Sequence, residues 1–192
     1  YSRTVSGGRG VPLDLIPFGG VEEPGCKIAW PPDGAVVMNT AGYGEAGASA
    51  VLVEVEPGFS VRVVSLPGLV ILKLVAWTER GSGDPRDALD LASVLRQYAA
   101  AGNEDRLYGS EIGVLEIVQY DIDLAGARLL GMDAGRIAAP PTRDQILAVF
   151  ADPTRLDRLV LDVARGMVAV QDALAAASTL LAQFKAGFQA VR

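Results

Sequence analysis

The chain has 192 residues, of which 50% are hydrophobic, and carries a net charge of −6. This is the composition of a globular protein, and no segment is basic enough to act as a nucleic-acid-binding domain. The single cysteine, Cys26, excludes an internal disulfide framework, and the absence of histidine excludes imidazole metal ligands and Ser-His or Cys-His catalysis.

The first third of the chain has the alternating pattern of β-strands. The glycine-rich residues 7–10 predict a hairpin turn between two strands. Two further short strands and a second hairpin follow, and the alternation in that hairpin predicts one buried and one solvent-exposed face. The predicted strands cover residues 1–6, 11–18, 26–30, 35–39, 51–55 and 59–63.

One acid interrupts the apolar strand of the first predicted hairpin. Asp14 lies on the face opposite Leu13 and Leu15, because successive side chains of a strand point to opposite faces. Such a carboxylate either accepts hydrogen bonds from a neighbouring segment or binds a metal ion. The residues alone leave both interpretations open.

From residue 66 onward the periodicity is helical. Residues 66–80 predict one helix, and Asp84 with Pro85 has the pattern of an N-cap and a first helical residue for the next. Asp121 and Asp123 form a D-x-D pattern, which we interpret as helix capping because it begins a helical segment. Further helices are predicted over residues 103–119 with an interruption near 109–110, then 122–130, 143–150, 153–165 and 168–188.

Four charged residues occupy the first helical pair. Lys73 interrupts an apolar helical run, and Arg80 follows two turns later on the same face. Asp87 and Asp90 share a face of the second helix. A short turn makes the two helices antiparallel neighbours, so we expect the four side chains to meet around one pocket mouth. The structural alternative is that Lys73 extends from a core helix to solvent and that Asp84 and Asp87 only cap the second helix and complement its dipole.

Two segments together resemble the AbiEii/AbiGii-type nucleotidyltransferases, the toxins of type IV toxin–antitoxin pairs. The first segment is VPLDLIPFGGVEEP, residues 11–24, followed by IAWPPDG, residues 28–34. The second is the pattern K-x6-R-x5-R-D-x2-D-L, which runs from Lys73 to Leu91. Residues 124–138 and 151–166 add a weaker likeness.

The resemblance implies an α+β fold, in which a nucleotidyltransferase-like small mixed β-sheet is followed by a helical C-terminal half. Residues 1–66 would then be the C-terminal part of a nucleotidyltransferase β core, and residues 67–192 the helical region. Asp14 matches the third of three metal-binding acids. The G-S and D-x-D positions of the family have no counterpart here, and we expect them upstream of Tyr1.

The resemblance also implies an activity and its residues. The reaction would be metal-dependent transfer of NMP from an NTP to RNA or protein, with Asp14 as the Mg²⁺ ligand and Asp14 and Lys73 as catalytic residues. Lys73, Arg80, Asp87 and Asp90 would bind the nucleotide, and Asp14 and Lys73 would face one cleft. An antitoxin protein would be a possible partner.

A second hypothesis keeps the fold without the reaction. The chain would be a non-catalytic nucleotidyltransferase-fold binding or scaffold module that lacks the first two metal acids. We expect the 192-residue chain alone not to transfer nucleotides, and a version with an upstream D-x-D to do so. The resemblance further implies a bacterial cytoplasmic protein. We expect no membrane span, because the longest apolar run, residues 66–77, contains Lys73.

Overall fold

The structure is a computed structural model that describes residues 15–30, 32–80, 84–168 and 170–191. The chain divides into two compact units, one up to Thr40 and one from Ala41 onward. The turn predicted at residues 7–10 and Asp14 lie outside the described residues, whereas residues 15–18 of the strand predicted over 11–18 are described and form no strand. The predicted boundary between a nucleotidyltransferase β core, residues 1–66, and a helical region, residues 67–192, stays a prediction.

The first unit contains the two short strands expected after the first hairpin. Strand β1 (Lys27–Trp30) pairs antiparallel with β2 (Val36–Asn39). Gly34 turns the chain between them with a φ of 69°, which favours glycine, and its N–H donates to the Trp30 carbonyl over 3.0 Å. These strands confirm the two short strands predicted over residues 26–30 and 35–39.

The second unit opens with helix α1 (Tyr43–Ala48) and the hairpin of strands β3 (Val51–Glu56) and β4 (Phe59–Val63). The expectation that one hairpin face is buried is wrong, because every residue of β3 is exposed and β4 is exposed except at Val61. Alternation shows which side chains share a face, but it does not show whether another element covers that face.

The described strands form two separate two-stranded antiparallel sheets. The sheet order therefore differs from the single mixed sheet that the resemblance implied, while the α+β class is confirmed. Among the described residues no strand lies beyond Val63, as the sequence predicts. The described helices that follow are α2 (Leu66–Arg80), α3 (Arg86–Gln97), α4 (Glu104–Tyr108), α5 (Ile112–Ile117), α6 (Ile122–Ile137), α7 (Pro140–Ala151), α8 (Pro153–Arg165) and α9 (Ala173–Ala190).

Several helix boundaries differ from the sequence prediction, including the start of α7 at Pro140 and the start of α9 at Ala173. Helix α6 runs through Gly131 to Ile137, although the glycine predicts an end near residue 130. Helix α3 begins at Arg86, so Pro85 precedes the helix and Asp84 accepts a hydrogen bond from the Arg86 N–H over 3.1 Å. The interruption expected near residues 109–110 is confirmed, because it separates α4 from α5.

The core of the second unit is helical, and α6 and α9 lie in the closest contact. A Cβ atom on Gly131 would lie 2.1 Å from the carbonyl oxygen of Phe184, and one on Gly187 would lie 2.0 Å from that of Arg128. The two helix backbones therefore touch directly, which explains why a glycine stands inside α6. In the described part of the chain, no helix combines the length and apolar character that crossing a lipid bilayer requires.

Candidate functional site

The four charged residues predicted to meet on α2 and α3 do meet. The Lys73 Nζ lies 3.1 Å from Asp87 Oδ1 and 2.5 Å from Asp90 Oδ2. The Arg80 Nη1 lies 2.9 Å from Asp87 Oδ2. We call these four residues the α2–α3 cluster. Both oxygens of Asp87 are therefore occupied, one by each cation.

Helical geometry accounts for the α2–α3 cluster. Lys73 and Arg80 are seven residues apart on α2, so they project from one face. Asp87 and Asp90 are three residues apart at the start of α3, so they also share a face. The packing of α2 against α3 brings the two faces together.

Burial differs strongly within the α2–α3 cluster. The Asp87 side chain is 1% exposed, whereas Lys73 is 26%, Arg80 50% and Asp90 54% exposed. Burial by itself lowers the pKa of Lys73, but its hydrogen bonds to Asp90 and Asp87 outweigh this effect and raise it. Lys73 is therefore a cation at neutral pH.

Tyr43 of α1 lies within electrostatic range of Arg80. Partial burial raises the pKa of the Tyr43 phenol, and the positive charge of Arg80 offsets part of that rise. The guanidinium of Arg80 therefore acts on a phenol of α1 as well as on the carboxylate of Asp87.

The α2–α3 cluster contains two cations and two carboxylates that pair with each other. Asp87 is buried and fixes both Lys73 and Arg80. The Lys73–Asp90 pair is only partly exposed, with Lys73 26% and Asp90 54% exposed, and fully exposed ion pairs contribute about 0–1 kcal/mol. An ammonium has three donors and a guanidinium five, so both cations keep N–H groups beyond those used on Asp87.

A metal centre does not form among the described residues. No group of three or more acidic or cysteine side chains in the described part of the chain could hold a metal ion. The carboxylates of Asp87 and Asp90 are paired with cations, which is a poor environment for a divalent ion. Asp121 caps α6 by accepting a hydrogen bond from the Leu124 N–H over 3.0 Å, which confirms its interpretation as a capping residue.

A second charged network was missed by sequence reasoning. Asp133 of α6 accepts hydrogen bonds from Tyr98 over 2.6 Å and from both terminal nitrogens of Arg106 over 2.8 Å and 3.0 Å. Arg136 adds a third cationic contact at 2.6 Å, and Glu111 lies 3.5 Å from it. Only the three-residue spacing of Asp133 and Arg136 is a local signal in the sequence.

A buried hydrogen bond beside the α2–α3 cluster was also missed. Trp77 lies between Lys73 and Arg80 on α2, and its Nε1–H donates to Asp162 Oδ2 of α8 over 3.1 Å. The Arg158 guanidinium lies 4.0 Å from the centroid of the Trp77 ring. These contacts fix α2 against α8, and their partners are too far apart in sequence for any local pattern to indicate them.

The cavity described in the second unit is not part of the α2–α3 cluster. It has a volume of about 460 Å³ and contains none of the residues of the α2–α3 cluster. The carboxylate of Glu45 on its wall accepts a hydrogen bond from the Ala139 N–H over 3.2 Å. The lining residues are Gly44, Glu45, Ala48, Ser49, Ile137 and Ala139.

Comparison with known proteins supports the resemblance seen in the sequence. A family model described as "Nucleotidyl transferase AbiEii toxin, Type IV TA system" matches residues 22–114. No significant match was found among curated proteins or among solved structures. The matched segment contains the whole α2–α3 cluster and begins after Asp14. The match confirms the resemblance, because residues 22–114 are similar to the AbiEii nucleotidyltransferase toxin family.

Proposed function

We propose that the chain is a nucleotidyltransferase-like toxin that transfers NMP from an NTP to RNA or protein in a metal-dependent reaction. The observation that carries the proposal is the α2–α3 cluster, in which a buried carboxylate fixes two cations inside the segment matched by the family model. An antitoxin partner is part of the same proposal, because the family is one of toxin–antitoxin systems.

The reaction assigns a definite task to the two cations. A hydroxyl oxygen of the acceptor forms a bond to the α-phosphorus and gives up its proton, and the bond from that phosphorus to the bridging oxygen breaks. Pyrophosphate leaves with additional negative charge. Lys73 and Arg80 bind that charge, and Asp87 positions them. Fixed cations are effective here because phosphoryl-type transfer depends mainly on positioning and charge stabilisation.

The metal and its ligand remain part of the proposal. The assignment of Mg²⁺ to Asp14 rests on the match of that residue to a family metal ligand, and the described residues contribute no ligand set. We expect Asp14→Asn to keep the fold and to lower turnover by about a hundredfold or more, the scale on which one preorganised electrostatic group acts.

Nucleotide binding tests the assignment of the α2–α3 cluster. Isothermal titration of the 192-residue chain with ATP, GTP, CTP and UTP should show saturable binding of at least one nucleotide. Lys73→Ala should weaken this binding about tenfold or more, since a hydrogen bond to a charged group contributes about 1.5–3 kcal/mol. Arg96→Ala removes an exposed cation of the same helix pair and should leave binding unchanged. Equal binding by the Lys73→Ala and Arg96→Ala variants would overturn the assignment.

Transfer is tested separately from binding. The protein encoded by the complete reading frame is incubated with labelled NTPs, magnesium chloride and total RNA, and the labelled RNA and protein are separated on gels. Label that depends on Asp14 and Lys73 supports the enzyme. Saturable nucleotide binding without any transfer supports the non-catalytic binding or scaffold module instead.

A further inference from the structure

Helices α4 and α5 leave apolar side chains in solvent. Tyr108, Ile112, Ile117 and Tyr120 are each between 38% and 64% exposed. Leu107, Val114 and Leu115 of the same helices are buried. Single exposed apolar residues are common on protein surfaces, but four within thirteen consecutive residues are a local concentration.

Helix α5 has two faces of different character. Val114, Leu115 and the following Val118 are buried. Ile112 and Glu116 are four residues apart, as are Gly113 and Ile117, so these four exposed residues form one stripe on the opposite side. The stripe contributes nothing to the core of the second unit.

The end of α5 holds an exposed tyrosine in an unfavourable backbone conformation. The Tyr120 N–H closes the helix by donating to the Leu115 carbonyl over 2.8 Å. Gln119 and Tyr120 have φ angles of 55° and 64°, in the left-handed region where a glycine usually ends a helix. Residues in this region cost about 1–3 kcal/mol each, and they concentrate at functional sites.

Acidic residues are interspersed in the sequence with the exposed apolar residues. Within the described residues none of the five exposed carboxylates between residues 104 and 123 forms an ion pair, whereas Arg106, the single cation of this stretch, is bound to Asp133 over 2.8 Å. Glu116 lies in the last turn of α5, where the helix dipole disfavours an anion. The five carboxylates belong to Glu104, Asp105, Glu116, Asp121 and Asp123.

We propose that the α4–α5 surface docks a basic segment with an apolar face from a partner protein. We define this surface by four exposed apolar residues and five exposed carboxylates. The apolar residues are Tyr108, Ile112, Ile117 and Tyr120, and the carboxylates are those of Glu104, Asp105, Glu116, Asp121 and Asp123. A cationic partner would gain Coulomb energy from the carboxylates and bury the apolar side chains, the combination that gives specific protein contacts. The surface is separate from the α2–α3 cluster, so the proposal does not depend on nucleotide transfer.

The charge of the α4–α5 surface favours a basic segment over two other possible occupants, a nucleic acid and a second copy of the chain. A nucleic acid is a polyanion, and the carboxylates would repel its phosphates. A second copy of the chain carries the same net charge of −6, and a two-fold contact would place like charges opposite each other. A segment rich in lysine or arginine is therefore the occupant that the charges favour.

A pair of synthetic peptides tests the proposal. The first is a fluorescein-labelled amphipathic helix of leucine and lysine, about 18 residues or five turns long, and the second has glutamate in place of lysine. By fluorescence anisotropy the lysine peptide should bind the 192-residue chain, and the glutamate peptide should bind about tenfold more weakly or not at all. Raising the salt concentration should weaken binding of the lysine peptide, because the surface charges are screened.

Matched variants locate the binding surface. Ile117→Ser with Glu116→Lys should weaken binding of the lysine peptide about tenfold, since one apolar contact and a reversed charge are involved. Leu174→Ser with Asp157→Lys makes the same kinds of change at exposed positions on α9 and α8 and should leave binding unchanged. Equal binding of both peptides, equal effects of the two double variants, or dimerisation of the chain through Ile117 would each overturn the proposal.

Discussion

The ammonium of Lys73 lies 3.1 Å from a carboxylate oxygen of Asp87, a side chain that is 1% exposed. The other oxygen of Asp87 accepts a hydrogen bond from Arg80 over 2.9 Å. A buried carboxylate thus connects the two cations of α2 to α3. The removal of Asp87 changes both the stability of the helix pair and the positions of the cations.

The first prediction compares the two acids of the α2–α3 cluster. Asp87→Ala should lower the free energy of unfolding by about 2–3 kcal/mol, because it leaves two cations without their buried partner. Asp90→Ala removes an exposed carboxylate and should cost about 1 kcal/mol or less. Urea denaturation followed by circular dichroism measures both. Equal costs for the two variants would contradict the buried position of Asp87.

The second prediction concerns the contact between α6 and α9. Gly131→Ala should lower the free energy of unfolding by about 3 kcal/mol or more, because the added Cβ would lie 2.1 Å from the Phe184 carbonyl oxygen and the helices must move apart. Gly113→Ala is the control. No atom lies within 4 Å of a Cβ at that helical position, so it should stabilise the chain by about 0.5–1 kcal/mol. The same denaturation experiment distinguishes the two.

Local features of the fold could be predicted from the sequence. Asp152 caps the N-terminus of α8 by accepting hydrogen bonds from the Thr154 and Arg155 N–H groups. Asp121 caps α6 by accepting a hydrogen bond from the Leu124 N–H. Such caps depend on neighbouring residues only, so their pattern is visible in the sequence. The sequence pattern predicts a helix end at Gly131, whereas the glycine is needed because the backbone of α9 lies against it, and a local pattern does not show that contact.

Some features of the candidate site can be predicted from the sequence, and others depend on tertiary packing. The meeting of Lys73, Arg80, Asp87 and Asp90 follows from helical periodicity and a short turn, both of which are local. The burial of Asp87 and the hydrogen bond from Trp77 to Asp162 both arise from packing between elements, which for the hydrogen bond are α2 and α8. Tertiary packing of this kind is not encoded in residue spacing, and Asp14 lies outside the described residues, so its role stays a prediction.

The third prediction is a pH dependence that arises from Asp133. Burial raises the pKa of its carboxyl, but the hydrogen bonds from Arg106 and Tyr98 outweigh burial and hold it below the ordinary value of 3.8. Above pH 3.8 the carboxylate is ionised in both the folded and the unfolded chain, and its full contribution to stability is present. As the pH falls below this value the unfolded chain takes up the proton first, so stability is lost until the lower pKa of the folded state is passed.

The measurement for Asp133 is a difference between two proteins. The free energy of unfolding of the wild type and of Asp133→Asn is determined by urea denaturation at several pH values from neutral to below 3.8. The wild type should be more stable than the variant at neutral pH, and the difference should shrink below that value. A difference in the free energy of unfolding that stays constant over the whole pH range would show that the negative charge of Asp133 does not stabilise the fold.

The fourth prediction concerns the buried hydrogen bond between Trp77 and Asp162. Asp162→Ala removes the acceptor of the Trp77 Nε1–H and should lower the free energy of unfolding by about 1–3 kcal/mol, the cost of an unsatisfied buried donor. Asp162→Asn retains an acceptor oxygen and should cost less, because the lost ion pair is with Arg165, a largely exposed residue. Arg165→Ala measures the ion pair alone and should change stability by about 0.5 kcal/mol or less. Equal losses for the alanine and asparagine variants would show that the charge of Asp162, and not the hydrogen bond from Trp77, holds α8 against α2.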